Sequence, residues 1–424
     1  MISVVIWRTA GAESSLAVTA ADVATANDQG VMSMQMTGRP ILAAALTLGL
    51  MSSISTLSLA QESAHPTDRG DMVLSEHGYF FAGGQYKAGE AGDVMDGAMY
   101  VEHFKPKETT HPYPVVMIHG GGQTGTNFTG TPDGRRGWAH DFLRAGYEVY
   151  VVDQPARARS GQFQDSYGDV TRNATTRIEQ RFTAPQDFKL WPQAEHHTQW
   201  PGSGRKGDPV FDQFYASQVP SLSNGDLIEE LNQAAGAALL DRIGPAIVLV
   251  HSQSGPFGWL IADARPQLVK GIVSIEPSGP PFRDLEFKGA PDWFSYGEKP
   301  IRAWGVARIP LTYDPPVSDP AELDTVLEGK PDGDGLAPCY VQAEPARKLP
   351  NLAGIPIIIV VSDASYHAAY DHCTAKYLAQ AGVESDFVSL PSKGITGNGH
   401  MMMIEKNNHQ VADLLIEWLE GRQL

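Results

Sequence analysis

Short apolar runs alternate with helix-patterned stretches along most of this chain, and that alternation limits what it can fold into. Residues 115–119 read as a buried strand, and 138–145 as a helix stopped by Gly146. The next strand is 148–153. An amphipathic helix follows over 227–243, ended by Gly244. Residues 246–251 form a strand running into a helix at 255–264. Further strands are predicted at 271–275, 355–361 and 386–390, with helices at 368–381 and 410–419. Strands covered on both faces have no solvent side, so their residues are apolar without alternation. Strands separated by helices join as βαβ units. The expected class is α/β, with a mostly parallel central sheet and helices on both faces.

Two long stretches interrupt the pattern. Residues 156–224 and 278–350 lack periodicity but carry many aromatics, among them Phe182, Trp191, Phe211, Phe214, Trp304 and Tyr313. Insertions of this length are usually lids or binding loops, and their aromatic content argues against disorder. Both are expected to be cap elements shaping a pocket.

The N-terminus separates from this fold. Arg39 precedes an apolar run over 41–51, and Ser58-Leu59-Ala60 offers small residues for a cleavage site. These are the parts of a secretory signal peptide, and the run is too short to span a bilayer comfortably. Residues 1–60 are therefore expected to be an N-terminal extension and signal peptide, with translation starting at Met34 or Met36. Residues 61–424 form one domain of an exported protein, periplasmic or secreted, without stable membrane insertion. In an oxidising compartment Cys339 and Cys373 can pair.

Composition removes several classes. The chain holds 49 acidic and 32 basic residues, a formal charge of −17. That opposes a hold on nucleic-acid phosphates. The 13 histidines form no HExxH or Cys/His ladder, so no metal or other cofactor is expected. The composition is compatible with a monomer or a homodimer.

The chemistry centres on Val-Leu-Val-His-Ser-Gln-Ser-Gly, residues 248–255. A strand that turns sharply into a helix lifts a serine above the sheet edge, and the helix N-terminus favours negative charge there. Ser252 and Ser254 compete. Ser252 is favoured because the strand ends just before it. Upstream, His119-Gly120-Gly121-Gly122 follows a strand. Its N–H groups at Gly120 and Gly121, with that of Gln253, could meet an oxyanion. It lacks the Gly-Lys-Ser/Thr ending of a phosphate loop. Downstream, Gly397-Asn398-Gly399-His400 presents a candidate general base; His409 is less well placed. An acid must orient that ring. Glu276, after strand 271–275, and Asp363, after strand 355–361, both qualify. His251 and Asp153 are expected to be structural.

These motifs in this order resemble a group of secreted bacterial α/β-hydrolase esterases with a Ser–Glu–His triad. The similar pieces are the His119–Gly125 loop, Asp153–Ser160, the serine turn, Ser274-Ile275-Glu276-Pro277, and Gly397–Met403. The sequence departs from the usual Gly-x-Ser-x-Gly at Val250 and Ser254. The resemblance implies the α/β-hydrolase fold, with Ser252 as nucleophile, His400 as base, Glu276 as acid and Asp363 as the alternative. It implies a small-molecule ester substrate; the cap aromatics suggest a bulky or aromatic one. An amidase, a lactonase or a non-catalytic binding protein could share this scaffold.

Overall fold

The computed structural model describes residues 72–424. The signal peptide and start sites expected within 1–60 lie outside the described residues. Eight strands form the main sheet: β1 (Leu74–Gly89), β2 (Gly92–Pro106), β3 (Val115–Ile118), β4 (Val149–Asp153), β5 (Ala246–His251), β6 (Val269–Ile275), β7 (Ile357–Val361) and β8 (Asp386–Ser389). Their spatial order is β1-β2-β4-β3-β5-β6-β7-β8. From β4 across to β8 every neighbouring pair is parallel. The β1–β2 and β2–β4 pairs are antiparallel.

Five helices cover the sheet: α1 (Trp138–Arg144), α2 (Gly225–Ile243), α3 (Gly255–Ala264), α4 (Asp371–Gln380) and α5 (Asn408–Glu420). Successive strand residues point to opposite faces, and the inner strands feed two cores. Val116, Ile118, Val248 and Val250 pack with Leu239, Trp259 and Leu378 of α2, α3 and α4. Val115, Met117, Ile247 and Leu249 pack with Trp138, Phe142, Val411 and Leu415 of α1 and α5. Helix α2 starts where the Asn224 side chain accepts the Asp226 and Leu227 N–H groups, which satisfies donors the helix itself leaves open. Among the described residues, no helix is long and apolar enough to cross a membrane.

The β1–β2 hairpin has no counterpart in the expectations above. It turns through Glu90–Ala91, with Gly89 and Gly92 as the last paired residues. Most of β1 is exposed, so it lacks the apolar run that marks the inner strands. Its partner carries a period-two signal, with Met99, Val101 and His103 buried and their neighbours half-buried.

The two inserts are ordered. The first holds several short helices, including Pro209–Ala216. The second holds two small hairpins, Leu285–Phe287 with Phe294–Tyr296 and Thr325–Leu327 with Tyr340–Gln342. Most insert aromatics supply packing: Trp191, Phe211 and Phe214 are buried, as are Trp304 and Tyr313. The Cys339–Cys373 disulfide ties the second insert to α4. The bond closes a loop of 34 residues in sequence separation, so its removal should cost about 3–4 kcal/mol through unfolded-chain entropy. A Cys339→Ala/Cys373→Ala variant is expected to melt several degrees lower by calorimetry. An unchanged Tm would show that the bond does not restrain the unfolded chain.

Candidate active site

The serine turn forms as the strand–helix junction requires. Ser252 follows β5 directly and has φ +56°, a left-handed backbone that non-glycine residues rarely adopt. Strain of this kind persists only where surrounding contacts enforce it. Gly255 is needed beneath it, since a Cβ there would lie 2.4 Å from the Pro277 Cβ. Ser254 is fully buried. Its hydroxyl is 2.7 Å from the Ile118 carbonyl and 3.0 Å from the His251 carbonyl, and it accepts the His251 N–H. Ser254 therefore locks the turn, whereas Ser252 is only half-buried.

Glu276 occupies the equivalent position one strand over. His251 of β5 pairs in register with Ile275 of β6, so Ser252 and Glu276 leave the same sheet edge side by side. Glu276 also has a positive φ, +43°. Its carboxylate is fully buried and accepts four hydrogen bonds. Oε1 takes the Ser362 N–H at 2.9 Å and the Ser362 hydroxyl at 2.7 Å. Oε2 takes the Ser365 hydroxyl and the His400 Nδ1–H, each at 2.6 Å. Burial pushes the carboxyl pKa up, and these donors oppose that by favouring the ionised form.

His400 is thereby fixed at both ends. Its carbonyl meets His251 Nε2 at 3.0 Å. Its Nε2 lies 3.3 Å from the Tyr366 hydroxyl, and the Ser252 side chain sits near enough to that hydroxyl to favour its ionised form. Phe182 stacks on the ring at 5.2 Å, and His367 lies 4.6 Å away at 7° from parallel. Burial holds the His400 pKa well below the ordinary histidine value, and the neighbouring His367 and Arg181 lower it further.

Asp363 does not reach this ring. Its Oδ1 accepts the Gly397 N–H at 2.9 Å, so it supports the loop that carries His400. That loop is also tied to the first insert. Glu405 accepts the Gly399 N–H and pairs with His197 at 2.8 Å. His409 pairs with Asp141. Asp153 accepts the Gly125 N–H and the Arg159 Nε–H, which makes it a loop anchor.

The glycine loop approaches the serine closely. A Cβ on Gly120 would lie 3.1 Å from Ser252 Cβ and 2.9 Å from His251 Nδ1. The Gly122 N–H is taken by Ser221 Oγ at 2.9 Å. Arg157, which is buried, joins the two sides of the candidate oxyanion pocket. It donates to the Gly120 carbonyl and to Gln253 Oε1, each at 3.1 Å.

A cavity of about 370 Å³ borders the site through Gln253 and Tyr366. Phe287, Tyr370 and four arginines contribute to its wall. Of the insert aromatics named from sequence, none lines it. Glu276, His367 and His400 bring three potential metal-ligand atoms within 4.8 Å. However, the His367 Nδ1–H donates to Asp371, and its Nε2 meets the Tyr370 hydroxyl. Both ring nitrogens are thus engaged in hydrogen bonds. Sequence reading missed Ser362, Ser365, Tyr366 and His367. Their signal was the loop after β7, which had been singled out for Asp363.

This strand order, with a strained serine, a histidine and a buried acid on loops at one sheet edge, defines an α/β-hydrolase site. A family model described as the alpha/beta hydrolase family matches residues 115–414, and the chain belongs to that family. It is 44% identical over 376 residues to a fungal protein described as a probable secreted lipase, phiG, covering 88% of this chain and 98% of that protein. A shorter match, 34% over 116 residues, is to the lipase LipV of Mycobacterium tuberculosis; it covers 24% of this chain and 42% of that one. A solved structure described as a novel bacterial esterase superposes with a TM-score of 0.56 at 24% identity, covering 84% of this chain and 98% of that one.

The surroundings of His400 generate a direct expectation. Its imidazole should stay neutral where an ordinary histidine is already half-protonated. Imidazole nitrogen shifts followed by NMR would show this. Protonation near pH 6.5 would contradict the environment described.

Proposed function

We propose that this protein hydrolyses carboxylic esters through an acyl-enzyme intermediate, with Ser252 as nucleophile, His400 as general base and Glu276 as the acid that orients it. The observation that carries the reading is His400 itself. One ring nitrogen donates to a buried carboxylate at 2.6 Å. The other lies 3.3 Å from the Tyr366 hydroxyl, beside which the Ser252 side chain sits. The lipase and esterase descriptions of its relatives support the same chemistry.

The steps follow from this arrangement. Ser252 Oγ forms a bond to the ester carbonyl carbon while its proton passes to His400 Nε2. The Glu276 carboxylate stabilises the imidazolium and holds the tautomer that leaves Nε2 free to accept. Negative charge on the former carbonyl oxygen is met by N–H groups of the Gly120–Gly121 segment and Gln253. The C–O bond to the alcohol then breaks, and His400 returns the proton to the leaving oxygen. Water repeats the sequence on the acyl-enzyme. No step calls for a cofactor. Arg157 keeps the two oxyanion segments in register.

Phe287, Tyr366 and Tyr370 on the cavity wall offer rings to a bulky or aromatic group. Action outside the cell is proposed from the apolar run at 41–51, the disulfide and the fungal relative's description as secreted.

Matched ester, amide and lactone substrates test the reaction class, with turnover of the ester expected to dominate. Glu276→Gln is expected to lower kcat on the order of 10³–10⁴-fold, the scale seen when a triad acid loses its charge. Asp363→Asn should cost far less, since a loop hydrogen bond survives the change. The opposite ranking would move the acid to Asp363.

A further inference from the structure

The cavity beside the site carries more positive charge than a neutral ester needs. Arg177, Arg181, Arg302 and Arg308 line it. Two of these are answered locally. Arg302 pairs with Asp284 at 2.7 Å, and Arg308 lies 3.7 Å from Asp226. Arg177 and Arg181 are different. Among the described residues, neither has a carboxylate oxygen within the 4.0 Å of an ion pair.

Their placement is specific. They are four residues apart across the helix Thr175–Ile178 and the wide turn Glu179–Thr183, so they share one side. The Arg181 guanidinium lies 4.8 Å from the Tyr366 ring centre and 5.0 Å from that of Phe287. Tyr366 is the residue whose hydroxyl lies 3.3 Å from His400 Nε2 and beside the Ser252 side chain. Arg177 is exposed at the cavity mouth; its partial desolvation and the Arg181 charge lower its pKa, while Tyr366 and Asp284 oppose the shift. Asp284 acts on Arg177 from beyond ion-pair range and is itself paired with Arg302, so the two guanidiniums still repel each other, and an anion placed between them would relieve this. A planar carboxylate matches the fork of a guanidinium and can be held bidentately.

We infer that the substrate is an ester that also bears a free carboxylate, bound by Arg177 and Arg181 while its ester carbonyl sits at Ser252. This rests on the ester-hydrolase reading and narrows it to half-esters and similar acidic esters. The rest of the wall fits. Phe287 and Tyr366 flank Arg181 and would pack on the chain joining carboxylate to ester.

The test compares 4-nitrophenyl hydrogen adipate with its terminal primary amide, which has the same length and no charge. Uncatalysed hydrolysis is subtracted. The protein should favour the acid over the amide in kcat/KM by at least about tenfold, equivalent to 1.4 kcal/mol. That ratio should fall toward one in Arg177→Gln and in Arg181→Gln, mainly through KM. Arg181→Lys should retain part of it. Because the ratio is internal to each variant, poor folding lowers both rates and leaves it intact. A starting ratio at or below one, or a ratio unmoved in both Gln variants, overturns the carboxylate site and leaves ester hydrolysis standing. Turnover of neither compound by the unaltered protein would contradict the hydrolase reading itself, and this inference with it.

Discussion

A carboxylate sealed from water must be answered from within the protein, and the site is built around that demand at Glu276. An unpaired buried charge costs several kcal/mol. Here four donors meet it, three from the loop after β7 and one from His400. That loop supplies hydroxyls because β7 lies beside β6 in the sheet. The arrangement leaves the histidine one orientation, with its second nitrogen 3.3 Å from the Tyr366 hydroxyl. Asp363 and Glu405 then act at one remove by holding the histidine loop against the sheet edge and the first insert.

The serine side obeys a similar logic of constraint. Its left-handed backbone is strained, and the turn survives because Ser254, Gly255 and Pro277 close around it. Where many such turns carry glycine two residues after the nucleophile, Ser254 uses its small hydroxyl as a lock. Arg157 performs the comparable task for the Gly120 and Gln253 segments. It spans two segments distant in sequence, with no water needed to bridge them.

The inner sheet was legible in the sequence because parallel strands buried on both faces are uniformly apolar, as at 246–251 and 357–361. The β1–β2 hairpin was not, since most of β1 faces solvent and shows no such run. At the site, Ser252, Glu276 and His400 could be nominated from their places after strands. The choice between Glu276 and Asp363 could not be derived from residue type, because both loops open at one sheet edge. In the structure His400 bonds to Glu276 while Asp363 accepts the Gly397 N–H, which is why Glu276 is the acid proposed. The arginines of the cavity were illegible for another reason. Arg177 and Arg181 lie in one insert and Arg302 and Arg308 in the other, and only folding brings them to one wall. Most insert aromatics pack internally, while Phe182 stacks on His400 and Phe287 reaches the cavity wall.

The central claim is that Ser252, and not its neighbour Ser254, is the group His400 activates. The most direct measurement is to treat the protein with a fluorophosphonate and locate the adduct by fragmentation of the 248–264 peptide. One phosphonylated serine, Ser252, is expected, with no labelling in Ser252→Ala. An adduct on Ser254, or a protein that stays unmodified, would contradict it.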